Sequence, residues 1–342
     1  MNGPRDLPHL HIEELSVAFT TYAGEKQVLD LARLDVRHGE SFGVVGESGA
    51  GKSVLALALL RLLRTPPASI TARRLEYDGS GLLSLSERQM RRLRGREIAM
   101  IFQDPMSSLN PVFTVGSQLL SVISRIHGEK GKKARRRALE FVQLVGLPDP
   151  ESMLAKYPHQ LSGGQRQRVI IALALCCDAR FIIADEPTRN LDVTVQAGVL
   201  KTLARLQQEL GVTLLFIANN LGLVSAMCDR VGILLDGRIV ETGTVDEVVR
   251  DARHPYTHML LRAVPSAGER AEAAAAPTPA VAAEGLPAEV KALEAADGVC
   301  SYYTRCAERT EECRLGERPG LRAVGGTHEV ACPRVVTQEV SA

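Results

Sequence analysis

Residues 46–53 read GESGAGKS, which is G-x-x-x-x-G-K-[ST] standing between two apolar runs. Before it, FGVVG (42–46) is short, continuous and apolar, as a buried strand is; after it, SVLALALLRLL (53–63) has the length of a helix. A strand that turns through glycines into a helix makes an anion site. Successive backbone N–H groups curl around the anion, and the helix aims its positive end at it. Gly46, Gly49 and Gly51 supply the curvature, with Ser48 and Ala50 in the same cradle. Lys52 is placed to contact the β- and γ-phosphates of a nucleotide, and Ser53 to ligate Mg²⁺. A loop of this kind constrains the chain to an α/β architecture whose strand ends gather at a ligand.

The rest of the chain follows that grammar. EIAMIF (97–102), RFIIADE (180–186), VTLLFIA (212–218) and VGILLDG (231–237) are strand-like runs separated by helical segments, which predicts a core of parallel strands. Residues 10–37 instead alternate apolar and polar positions around a turn at TYAGE, which predicts a small antiparallel sheet. Residues 115–146 read as helices inserted into the core.

Several function classes are excluded. The longest apolar run, VIIALALCC (169–177), is half of the ~18 residues a membrane span needs. The start, MNGPRDLPHLH, is neither basic nor apolar, so the expected compartment is the cytoplasm and the seven cysteines are expected to be reduced. With a net charge of +1 and basic runs that lack interleaved aromatics (88–97 and 128–140), no nucleic acid is expected as partner; those runs read as solvated helix faces.

Two further elements close the nucleotide site. The run FIIA delivers Asp185 and Glu186 at a strand end, Asp185 suited to Mg²⁺ and Glu186 to a general base that polarises a water. LSGGQRQRVIIALAL (161–175) is a Ser-Gly-Gly-Gln turn entering an apolar helix, a second anion site made from a helix N-terminus. The order of these elements, with Gln103 in MIFQDPMSSLNP, resembles the ATP-binding cassette of ABC transporters over nearly all of residues 10–265. The resemblance implies an ABC-type P-loop NTPase: a RecA-like core, an N-terminal antiparallel β subdomain, and an α-helical subdomain at about 104–175. It implies a head-to-tail dimer in which Ser162, Gly163, Gly164, Gln165 and the seam residue Asp192 serve the partner's ATP. Gln103 is implied to sense the γ-phosphate and Mg²⁺, and Tyr22 or, less well spaced, Phe19 to stack on adenine.

One position departs from the family. There the strand before the last catalytic element typically ends Thr-His-Asp, and its histidine contacts the γ-phosphate; here the residues are Ala218, Asn219 and Asn220. No histidine lies between His159 and His254, so no shift of alignment restores it. Asn219 can donate a hydrogen bond but cannot become a cation or relay a proton. Losing one positioned donor at a developing charge typically costs ~10²- to 10³-fold in rate. The expectation is a chain that binds ATP but hydrolyses it slowly at its own site, in a heterodimer with a catalytically complete second cassette.

Beyond residue 265 the composition shifts to an Ala/Pro/Glu-rich linker (266–297) and then to a Cys-rich extension (298–342) with the spacing C-x5-C-x6-C-x18-C: Cys300, Cys306, Cys313 and Cys332. Its low apolar content predicts a covalent or metal staple. Four thiolates suit an iron–sulfur cluster or tetrahedral zinc, and the tight pairs usual for structural zinc are missing. His328 reads as a loop residue, and Cys176, Cys177 and Cys228 as core.

HPYTHMLLRAVP (254–265) together with these cysteines resembles the ATPase subunits of oligopeptide and dipeptide importers, within the peptide, nickel and opine class, and most nearly its D-type dipeptide-permease ATPases. That likeness implies a [4Fe–4S] cluster, with Zn²⁺ as the alternative. It also implies a second ABC ATPase subunit, two transmembrane permease subunits, an extracytoplasmic solute-binding protein, and a place on the cytoplasmic face of the bacterial inner membrane. Two other classes are a non-transport ABC ATPase and a nucleotide or redox sensor. A single P-loop and a compact insertion weigh against the first, and binding to transmembrane subunits separates both from an importer.

Overall fold

The computed structural model describes residues 8–104, 108–189, 191–263, 299–314 and 318–335. The linker read at 266–297 lies outside the described residues.

Two sheets carry the fold. The first is built on β1 (Leu10–Thr21) and β2 (Gly24–Val36), antiparallel with Leu10 opposite Val36, and joined by β4 (Ala68–Thr71), β5 (Arg74–Tyr77) and β6 (Ser80–Gly81). Buried positions such as Leu10, Ile12, Leu15 and Val17 put one face of β1 against the core, which is the period-two pattern of a half-buried sheet. The second sheet has eight strands. Its central β3 (Ser41–Val45), β9 (Thr213–Ala218) and β8 (Phe181–Asp185) are buried at every residue, because helices or the other sheet cover both faces. With β7 (Ile98–Ile101) and β10 (Arg230–Leu235) they form a parallel set in the order β10-β3-β9-β8-β7.

The helix after the phosphate loop, α1 (Lys52–Leu59), is shorter than its apolar run predicts. Arg61 turns the chain out with φ 49°, and Arg94 Nε takes the Leu60 carbonyl at 2.7 Å. The short helix α2 (Glu87–Leu93) follows; four more make the inserted layer: α3 (Val115–His127), α4 (Gly131–Leu144), α5 (Pro150–Ala155) and α6 (Gly163–Leu175). Thr114 caps α3, and the chain leaves it at Gly128 with φ 68°, a conformation that glycine adopts without strain. Then α7 (Val193–Leu210) crosses behind β8, and α8 (Leu221–Ser225) begins at Asn220. Gly43 explains how α8 sits so close: a Cβ there would lie 2.2 Å from Val224 Cγ1.

The C-terminal part held two surprises. Antiparallel β11 (Arg238–Thr244) extends the main sheet past β10, and α9 (Val245–Arg250) and α10 (Pro255–Arg262) follow it. The extension then adds β12 (Arg322–Gly325) and β13 (His328–Val330), with β13 paired to β11. Among the described residues of the extension, Tyr302 and Cys306 join the main core, and β13 extends the sheet. His328 is therefore a strand residue and not a loop residue: it is buried, with Nε2 2.7 Å from Glu241 Oε1.

Candidate functional site

The phosphate loop leaves β3 under a tight constraint. A Cβ on Gly46 would meet the Leu234 carbonyl at 2.2 Å, and Gly51, at φ 102°, would place one 2.8 Å from the Val28 carbonyl. Side chains are excluded here, so the loop can wind between neighbouring strands. Lys52 is buried and folds back on the loop, donating from Nζ to the Gly46 carbonyl at 2.9 Å and the Glu47 carbonyl at 2.8 Å. Burial holds its pKa below the ordinary lysine value, with Glu186 and Asp185 opposing.

The two carboxylates stand at the end of β8. Asp185 is buried and its Oδ1 has no hydrogen-bond partner; burial raises its pKa, while a hydrogen bond with Ser53 works to lower it. A buried, ungratified carboxylate oxygen beside a hydroxyl is the donor set a hard divalent cation takes, so these residues fit Mg²⁺. Glu186 has φ 44°, which for a non-glycine residue costs on the order of 1 kcal/mol. Its N–H donates to the Ile217 carbonyl at 2.9 Å, which holds that conformation. Its carboxylate accepts from Gln103 Nε2 at 3.0 Å and Arg189 Nη1 at 3.2 Å, with Lys52 Nζ at 3.9 Å.

Asn219 follows β9 and is exposed. It lines a cavity with Glu186, Thr188, Gln196, Ala218 and Asn220. The neighbouring Asn220 caps α8, its Oδ1 accepting from Gly222 N–H at 2.7 Å. So Lys52, Ser53, Gln103, Asp185, Glu186 and Asn219 converge. Phe19 packs against the β1 side of the core, whereas Tyr22 is fully exposed at the β1–β2 turn.

The signature turn makes only local hydrogen bonds. Ser162 and Gln165 form a reciprocal cap on α6, Gln165 N–H to Ser162 Oγ at 3.3 Å and Ser162 N–H to Gln165 Oε1 at 3.1 Å. A Cβ on Gly164 would lie 2.3 Å from Val195 Cγ1, so this glycine lets α6 approach α7. Asp192 caps α7 through Val195 N–H at 3.0 Å, beside the exposed Val193. Ser162, Gly163 and Asp192 are exposed, Gln165 is half-buried and Gly164 is buried against Val195.

In the extension, Cys300, Cys306, Cys313 and Cys332 are free thiols. Burial pushes Cys300 up to about 11 and also raises Cys306 and Cys332. Backbone N–H groups of Tyr302, Glu308, Arg334 and Val335 oppose that rise, but burial outweighs them and keeps these thiols protonated. Among the described residues, no three His, Cys, Asp or Glu side chains form a group that could hold a metal ion. Cys176 is buried, and burial raises the pKa values of Cys176, Cys177 and Cys228, consistent with packing roles.

Three residues near the loop escaped the sequence reading. Arg189 pairs with Glu186. Tyr256 Oη accepts the Glu47 N–H at 2.9 Å, and Arg305 Nη1 donates to Glu47 Oε2 at 2.8 Å. Only HPYT carried a signal, and its tyrosine had no visible target.

A phosphate loop, a strand-end carboxylate pair, and a Ser-Gly-Gly-Gln turn on a separate helix define a nucleotide-hydrolysing cassette. The family profile described as ABC transporter matches residues 29–189, and that described as oligopeptide/dipeptide transporter, C-terminal region, matches 240–313. The chain is 44% identical over 273 residues to the oligopeptide transport ATP-binding protein OppD of Bacillus subtilis, covering 79% of this chain and 76% of that one. It is 40% identical over 323 residues to the dipeptide transport ATP-binding protein DppD of Escherichia coli, covering 94% and 95%. Among solved structures, CbiO1 of Clostridium perfringens, part of the transporter complex CbiONQ, superposes with a TM-score of 0.61 at 26% identity, over 71% of this chain and 91% of that one. The cassette MJ0796, seen as a dimer bound to ADP and Pi, has a TM-score of 0.61 at 24% identity and supports the fold. The chain belongs to the ABC transporter ATP-binding proteins that carry the oligopeptide/dipeptide C-terminal region. It is an ATPase that works with ATP and Mg²⁺.

Proposed function

We propose that this chain is one of two different ATP-binding subunits of an importer of di- or oligopeptides, and that its own ATP site is the slow one. The import reading is supported by the C-terminal region at 240–313 and by relatives named as oligopeptide and dipeptide transport ATP-binding proteins. The slow-site reading is carried by one observation: Asn219, at the end of β9, lines the same cavity as Glu186.

Lys52 and the loop N–H groups bind the phosphates, once Lys52 leaves the Gly46 and Glu47 carbonyls. Asp185 and Ser53, with Gln103, would hold Mg²⁺, which would offset charge on the phosphate oxygens when bound. Glu186 polarises the attacking water, and Gln103, bonded to it, links that carboxylate to the segment leading into the helical layer. Asn219 can donate to the γ-phosphate but cannot carry a proton away. Tyr22, exposed and without a packing role, stacks on adenine. Ser162, Gly163, Gly164 and Gln165, with Asp192 at the seam, complete the partner's ATP site.

No helix among the described residues is long and apolar enough to cross a membrane. The relatives named as transport ATP-binding proteins support a chain that works against two permease subunits, peripherally on the inner membrane, and indirectly with an extracytoplasmic binding protein. Phe102, Val112 and Phe113, exposed around the Gln103 segment and the start of α3, form the surface that receives the permeases. Residues 1–265 act as the cassette, with 104–175 as its helical subdomain. Cys300, Cys306, Cys313 and Cys332 hold a [4Fe–4S] cluster in preference to zinc, a reading supported by their being unpaired and mostly buried within one short extension.

Co-expression with the permeases tests the reading. Uptake of labelled dipeptide into proteoliposomes should require this chain and vanish with Lys52→Ala. Failure to associate with any permease contradicts it. Iron and acid-labile sulfide in equal amounts are expected in anaerobically purified protein, and zinc alone refutes the cluster.

A further inference from the structure

Glu47 follows the first glycine of the phosphate loop, and three side chains converge on it. From inside the loop, Lys52 Nζ donates to its carbonyl at 2.8 Å. From outside, Tyr256 Oη accepts its N–H at 2.9 Å and Arg305 Nη1 donates to its Oε2 at 2.8 Å. When Lys52 turns to a phosphate, the inner strut is lost and the two outer ones remain.

The outer struts form one unit. The Tyr256 and Tyr302 rings are 5.4 Å apart, and the Arg305 guanidinium lies over the Tyr302 ring at 5.1 Å. Arg305 is mostly buried, at 11% side-chain exposure, so its pair with Glu47 is screened less than a surface pair. It immediately precedes Cys306, in a segment where Cys300 N–H donates to the Cys313 carbonyl at 3.0 Å.

The other half of the extension is anchored to the main sheet independently. There β13 pairs with β11, His328 meets Glu241 at 2.7 Å, and Thr327 Oγ1 donates to Glu247 Oε2 at 2.7 Å. Cys332 sits on this anchored half, while Cys300, Cys306 and Cys313 sit on the half that carries Arg305.

We infer that Arg305 and Tyr256 are positioning residues for the phosphate loop, and that the C-terminal extension sets how tightly the chain holds ATP by holding Arg305 on Glu47. The inference rests on ATP binding at this loop, and neither on what the cysteines hold nor on whether the local site turns over.

The test measures Mg·ATP affinity of the full-length chain by calorimetry, with its thermal stability beside it. Arg305→Ala and Tyr256→Phe should each weaken affinity about 3- to 10-fold. Arg305→Lys should restore most of the affinity. Glu47→Gln breaks the pair without touching the extension, so it reads the same effect should the tail variants fold poorly, and adding Arg305→Ala to it should cause little further loss, because both act through one contact. Unchanged affinity in Arg305→Ala and Glu47→Gln overturns the inference. So does full additivity of Glu47→Gln with Arg305→Ala, or a loss of thermal stability in Arg305→Ala with affinity unchanged.

Discussion

Glu186 and Asn219 face the same cavity, one from the end of β8 and the other from the end of β9. A water placed there has a carboxylate to polarise it, and on the β9 side Asn219, which can donate a hydrogen bond but cannot carry a proton. Asn219→His should raise hydrolysis at this site by about tenfold or more, since an imidazole can take the charge and proton that the amide cannot. The readout is turnover of the assembled transporter with the partner's own site silenced.

Asp185 is buried beside Ser53 with one oxygen unsatisfied, and burial raises its pKa. The ionised form is thus carried at a cost when Mg²⁺ is absent. Asp185→Asn should raise the melting temperature of the nucleotide-free protein by a few degrees while abolishing the Mg²⁺-dependent gain in ATP affinity. A drop in melting temperature contradicts this account.

Gly164 has no room for a methyl group, with Val195 Cγ1 2.3 Å from where it would stand. Gly164→Ala should push the signature turn off α7, lowering turnover of the assembled dimer about tenfold or more while this chain's own ATP affinity stays within about twofold. Equal loss of both indicates general misfolding.

The His254 Nδ1 caps α10 by accepting the Tyr256 N–H at 3.0 Å, which only the neutral ring can do. Burial lowers its pKa from 6.5 to about 4. Because the folded value is the lower one, stability present above 6.5 is lost as pH falls towards about 4. His9, also lowered to about 4 by burial, adds to the same loss. His254→Asn keeps a capping acceptor and should flatten part of that dependence in denaturant unfolding between these pH values.

The parallel core was legible because strands buried on both faces are continuous apolar runs, as RFIIADE and VTLLFIA are. The site was legible because phosphate chemistry needs glycines and charges at fixed spacing. The strands β4 to β6 were missed: they are short, and Arg74 and Glu76 in β5 read as a surface. The β12–β13 pair was missed because its stability comes from the edge of β11, a partner 80 or more residues away in sequence. Arg305 was missed for the same reason: nothing local marks an arginine whose target is 258 residues distant.

The most direct test of the division of labour is steady-state ATPase of the assembled transporter carrying Glu186→Gln in this chain, beside the equivalent change in the partner. If the local site is already slow, turnover stays within about twofold of wild type here and collapses only with the partner's mutation. Collapse with Glu186→Gln, ATP binding being retained, shows that the site fires despite Asn219 and contradicts the account.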